Sequence, residues 1–278
     1  MTGIVDVGGG FRGIYAAGAL DFCMDNGITF DLGIGVSAGS ANLASFLSRQ
    51  VRRNLKFYTE YSMRKEYAGI ENFLRKRSFV DLDYAYSTLS NSDGEYPIDY
   101  EAFSKNPMEF IVVATDAETG KAKYFDKSDY QQDHYDPFKA SSSLPFFSQP
   151  YPIGDHIYYD GALADPVPVL KALEYGCGKA VVLLTKPKDL VRVPGKDLRV
   201  AKAIEAKYPA AARELRSRAQ KYNAGVELAK KLEKQGQALI VAPDDTCGVS
   251  TLTRNKEKLL KLYEKGYADG AAIADFMK

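Results

Sequence analysis

The stretch Leu32-Gly33-Ile34-Gly35-Val36-Ser37-Ala38-Gly39-Ser40 decides the fold of this 278-residue chain. An apolar strand, Leu32 to Val36, runs into Ser37, and a helix of small residues follows from Ala38 to about Leu47. Within it Gly35-Val36-Ser37-Ala38-Gly39 fits Gly-x-Ser-x-Gly, a turn whose glycines let the backbone bend sharply and leave a serine hydroxyl exposed between strand and helix. There the first N–H groups of the helix and the positive end of its dipole favour the alkoxide character that develops when a serine attacks. The same position also suits a plain helix N-cap serine, a structural role only.

Working outward, the same unit occurs once before. Ile4 to Val7 reads as a strand, Gly8-Gly9-Gly10 as a turn, and Phe11 to Met24 as a helix stopped by Asn26-Gly27. Downstream, Phe110–Thr115 and Ala122–Phe125 flank the turn Glu118-Thr119-Gly120 and predict a hairpin. A strand at Ile157–Tyr159 delivers Asp160-Gly161, and Asp165-Pro166 reads as an N-cap and first-turn proline opening a helix to about Tyr175. Ala180–Leu184 and Ala238–Val241 are further strands, with long helices between them and a C-terminal helix over residues 253–276. Residues 50–90 read as short helices placed to cover a site. Strands alternating with helices predict an α/β fold: three layers, α/β/α, around a mostly parallel central sheet.

Composition narrows the function. Thirty-seven Lys and Arg stand against 36 Asp and Glu, so no surplus of positive charge points to nucleic acid as a partner. Cys23, Cys177 and Cys247 are too few and too scattered for a disulfide framework or a zinc site, and predict reduced thiols in a cytoplasmic setting. No signal-peptide pattern opens the chain, and no apolar run approaches the roughly 18 residues that span a bilayer. The expectation is a protein in solution or transiently peripheral at a membrane. Charge is uneven along the chain: residues 81–136 hold 13 acidic and 4 basic side chains, residues 186–234 hold 14 basic and 6 acidic. The basic segment either leans on an anionic membrane, leans on the acidic segment, or presents a solvated helical face.

Gly8-Gly9-Gly10-Phe11-Arg12-Gly13 also fits Gly-x-Gly-x-x-Gly after a strand, but a dinucleotide site needs an acidic residue closing the second strand. That strand closes on Ser37, with Asp31 before it, and no Gly-Lys-Ser/Thr follows the glycines, so the nucleotide readings fail. What remains is a loop whose amides can face a developing oxyanion. Arg12, a cation in the first turn of a helix, opposes the macrodipole at a cost of about 0.3 to 1 kcal/mol and implies an anionic partner or a loop-bracing bond. Ser37 needs a base. His134 and His156 are the chain's two histidines and permit a triad; Asp160, at a strand end, can take the proton alone if it reaches the serine in a partly dry pocket. Asp160-Gly161 also suits a simple tight turn.

The joint occurrence of Gly8-Gly9-Gly10-Phe11-Arg12-Gly13, Gly35-Val36-Ser37-Ala38-Gly39 and Asp160-Gly161-Ala162 resembles the patatin-like phospholipases. Ala114-Thr115-Asp116 through Thr119-Gly120, and Ala140-Ser141-Ser142-Ser143-Leu144-Pro145, extend the likeness across about residues 3–175. The resemblance implies hydrolysis of lipid acyl esters by a Ser-Asp dyad, with no metal or cofactor. Ser37 becomes the nucleophile, Asp160 the base, and the loop of Gly8, Gly9 and Gly10 with Arg12 the oxyanion hole. Ala162 stands where many members carry glycine. Leu144, Phe146, Phe147 and Tyr151 are candidates for an acyl pocket, or plain core. Residues 3–175 are the expected catalytic core and 176–278 a continuation of the same domain. An acyltransferase using the same residues, or a silent lipid- or nucleotide-binding module, are the alternatives.

Overall fold

Alternate residues of a strand face opposite sides of its sheet, so a sheet covered on both faces needs strands that are apolar throughout. In the computed structural model, which describes residues 1–278, Ile4, Phe110, Val112, Val181 and Leu183 enter one core, while Val5, Ile111, Val113, Val182 and Leu184 enter another. The sheet is thus the middle of three layers, as the alternating pattern predicts.

Its strands are β1 (Thr2–Asp6), β2 (Leu32–Val36), β3 (Glu109–Asp116), β4 (Ala122–Phe125), β5 (Tyr151–Ile153), β6 (His156–Asp160), β7 (Lys179–Leu183) and β8 (Ala238–Val241). They pair in the order β5-β6-β3-β2-β1-β7-β8, with β4 also on β3. Strands β1, β2, β3, β7 and β8 are parallel, and β4, β5 and β6 run against their neighbours. Strands β7 and β8, beyond residue 176, extend the sheet that β1 begins.

The helices are α1 (Ile14–Asp25), α2 (Ala38–Leu47), α3 (Arg53–Thr59), α4 (Ile70–Lys76), α5 (Tyr100–Lys105), α6 (Asp136–Ser142), α7 (Val169–Glu174), α8 (Asp197–Ile204), α9 (Pro209–Lys234), α10 (Lys256–Asp269) and α11 (Ala271–Phe276). Helices α1, α2 and α10 supply the first core, and α7 and α9 the second. Helix α10 is bonded to α1 through Tyr15 Oη to Asp269 at 2.6 Å and Tyr263 Oη to Asp21 at 2.8 Å. The hairpin β3–β4 forms as predicted, its turn held by the Asp116 carboxylate accepting from the amides of Glu118 and Thr119.

Two expectations need correction. The helix expected at Asp165-Pro166 starts only at Val169, because Val167 precedes Pro168 and the proline ring disfavours helical geometry in the residue before it. Asp165 instead accepts from Tyr124 Oη at 2.8 Å. The single C-terminal helix is two, α10 and α11, meeting at Gly270.

The meeting of β2 and β6 positions the site. Strand β2 pairs with residues 109–113 of β3, β6 with 114–116, and β4 with 112–115. Because β4 overlaps both, it occupies one edge of β3, and β2 and β6 share the other. They arrive from opposite directions and end against each other, Val36 at Val113 and Asp160 at Ala114. Ser37 follows Val36 directly. Residues more than 120 apart in sequence are therefore brought together by register alone.

Candidate active site

Ser37 sits between β2 and α2 with φ 56° and ψ −129°, a backbone that a residue bearing Cβ adopts only when its surroundings enforce it. Three contacts enforce it. The Ser37 amide donates to Ser141 Oγ at 2.8 Å, and its carbonyl accepts from the Ser40 amide at 3.0 Å and from Ser40 Oγ at 2.6 Å. Ser37 makes no side-chain cap to its helix, so its hydroxyl is not used as an N-cap. Gly35 and Gly39 allow the turn to lie flat on the sheet: a Cβ at Gly39 would stand 2.3 Å from the Asp6 carbonyl, and one at Gly35 2.5 Å from Ser40 Cα.

Asp160 is buried at the end of β6. Its amide donates to the Ser143 carbonyl at 2.9 Å, its carbonyl accepts from Thr115 Oγ1 at 2.9 Å, and its Oδ1 accepts from the Ala162 amide at 2.8 Å. Gly161 then turns under Val113, whose carbonyl leaves no room for a Cβ. Burial raises the Asp160 pKa; the neighbouring Ser37 hydroxyl, the Ala162 amide and the charges of Arg218 and Arg192 oppose the rise. The serine run that ends α6 thus braces both sides, Ser141 at the amide of Ser37 and the Ser143 carbonyl at the amide of Asp160.

The glycine loop lies against the first turn of α2. Gly8 donates to Asp6 Oδ1 at 2.9 Å and its carbonyl accepts from Thr185 Oγ1, so Gly8 shapes the loop and has no amide to offer. The amides of Gly9 and Gly10 donate to no protein acceptor, and neither does that of Ala38. Gly9 has φ 128° and lies so close to Arg12 and Thr185 that a Cβ would meet Arg12 Nη2 at 2.9 Å. Arg12 donates to Thr251 Oγ1 at 2.9 Å, while its buried Nε has no partner. Gly13 lies beneath Tyr58, and its carbonyl accepts from Asn42 Nδ2 at 2.9 Å.

Sequence reasoning missed Asp6. It is fully buried and binds both the Gly8 amide and Asn42 Nδ2 of α2, tying the loop to the helix that carries Ser37. Burial pushes its pKa up to about 6. An aspartate inside an apolar strand was the signal available, because such a residue is kept only with partners.

These residues share one cavity of about 210 Å³, in which Ser37, Asp160, Ala162, Arg12 and the three glycines of the loop line the wall. Residues 50–90 do cover it, through Phe57, Tyr58, Tyr67 and Tyr86. Of the acyl-pocket candidates, Leu144 and Phe147 line the cavity. Phe146 points outward, 67% exposed, and Tyr151 instead bonds Asp136 and Lys139. Neither histidine lines it: His156 is at the surface, 3.0 Å from Asp116, and His134 closes a turn with Gln131.

The sequence profile of the patatin-like phospholipases matches residues 7–173, and the chain belongs to that family. A second profile, "Domain of unknown function (DUF6363)", matches residues 208–277. The uncharacterized protein YjjU of Escherichia coli (strain K12) is 29% identical over 204 residues, covering 69% of this chain and 54% of YjjU. The chain thus spans about half the length of this curated relative. In structure it is similar to VipD from Legionella pneumophila, with a TM-score of 0.51 and 13% identity over 99% of this chain and 66% of VipD, a likeness of fold. No helix is long and apolar enough to cross a membrane.

Proposed function

We propose that this chain hydrolyses carboxylic esters of lipids through an acyl-enzyme on Ser37, with Asp160 as the sole general base. The observation that carries the reading is the end-to-end meeting of β2 and β6, which sets a strained serine beside a buried carboxylate next to unpaired amides.

In the first half-reaction Ser37 Oγ attacks the ester carbonyl carbon and its proton passes to Asp160. The carbonyl oxygen takes up negative charge facing the Gly9 and Gly10 amides, and Arg12 braces that loop. The C–O bond to the alcohol breaks, and the alcohol leaves with the proton from Asp160. Water then gives a proton to Asp160 and adds to the acyl carbon, and Ser37 departs, recovering the proton. A raised carboxyl pKa suits this task, since a base titrating nearer neutral pH is the better proton acceptor. In this scheme residues 176–278 belong to the same unit as the core, because β7 and Thr185 support the glycine loop.

Hydrolysis of a p-nitrophenyl acyl ester tests the reading. Ser37→Ala and Asp160→Asn each abolish turnover, while His134→Ala and His156→Ala retain it. Turnover that survives loss of Asp160 and vanishes with either histidine would replace the dyad by a triad.

A further inference from the structure

The amides of Gly9 and Gly10 are held by no bond of their own, since neither donates within the protein, and a run of glycines does not fix its own direction. Their aim is therefore set by the residues on either side. On the Gly8 side the anchors are Asp6 and Thr185. Beyond Gly10 the anchor is Thr251, 239 residues further along the chain than Arg12. The Thr251 carbonyl accepts from the Phe11 amide at 3.1 Å, and its Oγ1 accepts from Arg12 Nη1 at 2.9 Å. A Cβ at Gly10 would stand 2.4 Å from that same carbonyl, so the loop lies flush against it. Thr251 Oγ1 is the one protein acceptor of the Arg12 guanidinium, whose Nη2 is the group Gly9 rests against. Thr251 lies outside the 7–173 match and within residues 208–277, the match to a domain of unknown function. The segment that carries it is itself fixed. The Ser250 amide donates to Thr253 Oγ1 at 2.8 Å, and Asn255 caps α10 by accepting from the Lys258 amide. Arg254 donates to the carbonyls of Ala68 and Arg64 at 2.6 and 2.9 Å, in the stretch that covers the cavity. Tyr67, next to Ala68, lies edge-on to Phe11 with ring centroids 6.3 Å apart. Residues 250–255 thus join the glycine loop, the cover and α10.

We propose that Thr251 is a positioning residue for the oxyanion loop, and that the C-terminal region takes part in catalysis by aiming the Gly9 and Gly10 amides through it. The inference rests on the hydrolase reading and deepens it. Thr251 acts through Phe11 and Arg12 and not on the reacting atoms. Donors stabilise an oxyanion only when they point at the place where its charge develops, and a displacement of about 1 Å costs on the order of a hundredfold in rate. Without its hydroxyl, Arg12 has no acceptor and no fixed place beside Gly9. The Phe11 bond, made to the backbone of Thr251, survives, so the loop loosens without coming away.

The test is Thr251→Val in the whole chain, which removes the hydroxyl and keeps the shape of the side chain. With p-nitrophenyl esters of a short and a long acyl chain, the expected result is a kcat lower by about tenfold or more on both, with KM changed by less than about threefold. Thr251→Ser, which keeps the hydroxyl, restores most of that kcat. Fluorophosphonate labelling separates loss of aim from loss of fold. The valine variant labels Ser37 to the same end-point as the unaltered chain but more slowly, because attack on phosphorus also places charge on an oxygen facing the Gly9 and Gly10 amides. An unchanged kcat in Thr251→Val, a rise in KM alone, or a serine variant as impaired as the valine one would overturn the proposal. So would a loss of activity matched by a lower labelling end-point, which reports misfolded chain. Failure of the unaltered chain to label at Ser37 would instead overturn the hydrolase reading, so the two failures are told apart.

Discussion

The two walls of the cavity solve opposite problems. The wall from residues 44–147 is apolar and aromatic, and the one guanidinium it holds, Arg53, is satisfied by the Pro97 carbonyl at 2.9 Å and Ser90 Oγ at 3.0 Å. The wall from residues 185–222 is cationic, and two of its charges have no acid. The first wall leaves its one cation satisfied; the second leaves Lys186 and Arg192 without an ion pair, while Arg218 is held by Asp197. Ser37 and Asp160 line the cavity together with both walls.

Substitutions can break that contrast or sharpen it. The largest effect belongs to Asp160. Asp160→Asn lowers kcat/KM by about a thousandfold or more on every ester, whatever its chain or headgroup, by analogy with removal of a base from a serine site. The same change stabilises the fold. A carboxyl whose pKa is raised on folding contributes stability that is present below its unfolded pKa and lost as pH rises through its folded value, so at neutral pH charged Asp160 is a net cost. Asparagine keeps an oxygen for the Ala162 amide and removes the buried charge. Melting at pH 7 should rise by about 2 to 4 °C for each kcal/mol recovered, and by less near pH 4. A variant that is inactive and less stable at pH 7 would contradict the electrostatic account.

On the apolar wall, Phe147→Ala reduces the preference for long over short acyl chains by about tenfold, the scale on which a hydrophobic pocket discriminates. Phe146→Ala, at the exposed neighbour, leaves that preference unchanged. If both behave alike, the wall is misassigned. On the cationic wall the effect is smaller and depends on pH. Lys186 faces Arg12, Arg192, Arg218 and Asp197, and as pH climbs through about 8 it loses its proton. The smallest change is expected at His156, 60% exposed beside Asp116: His156→Ala shifts stability by no more than about 0.5 kcal/mol and leaves ester turnover intact.

Much of this was legible in the sequence because it is local. A glycine turn that ends a strand and begins a helix can be read in a window of ten residues, which is how Ser37 and the loop at Gly8 to Gly10 stand out. The proximity of Ser37 and Asp160 is not local. It follows from β2 and β6 sharing one edge of β3, a register that no short window contains. The cationic wall was hidden for a different reason. Counting charge over residues 186–234 gives its sign but not its direction; Asn223 on the Arg192 backbone and Asp197 on Arg218 place two of these cations at the cavity, while others pair locally. The misplaced start of α7 was readable in principle, since Pro168 restricts Val167 as firmly as Pro166 suggests a first turn.

The most direct test of the central claim is mass spectrometry of the intact and digested protein after treatment with a fluorophosphonate. The account predicts one covalent adduct, on Ser37, formed rapidly in the unaltered chain and in His156→Ala, and at least a hundredfold more slowly in Asp160→Asn. An adduct on another residue, or labelling of Ser37 that ignores Asp160, would contradict it.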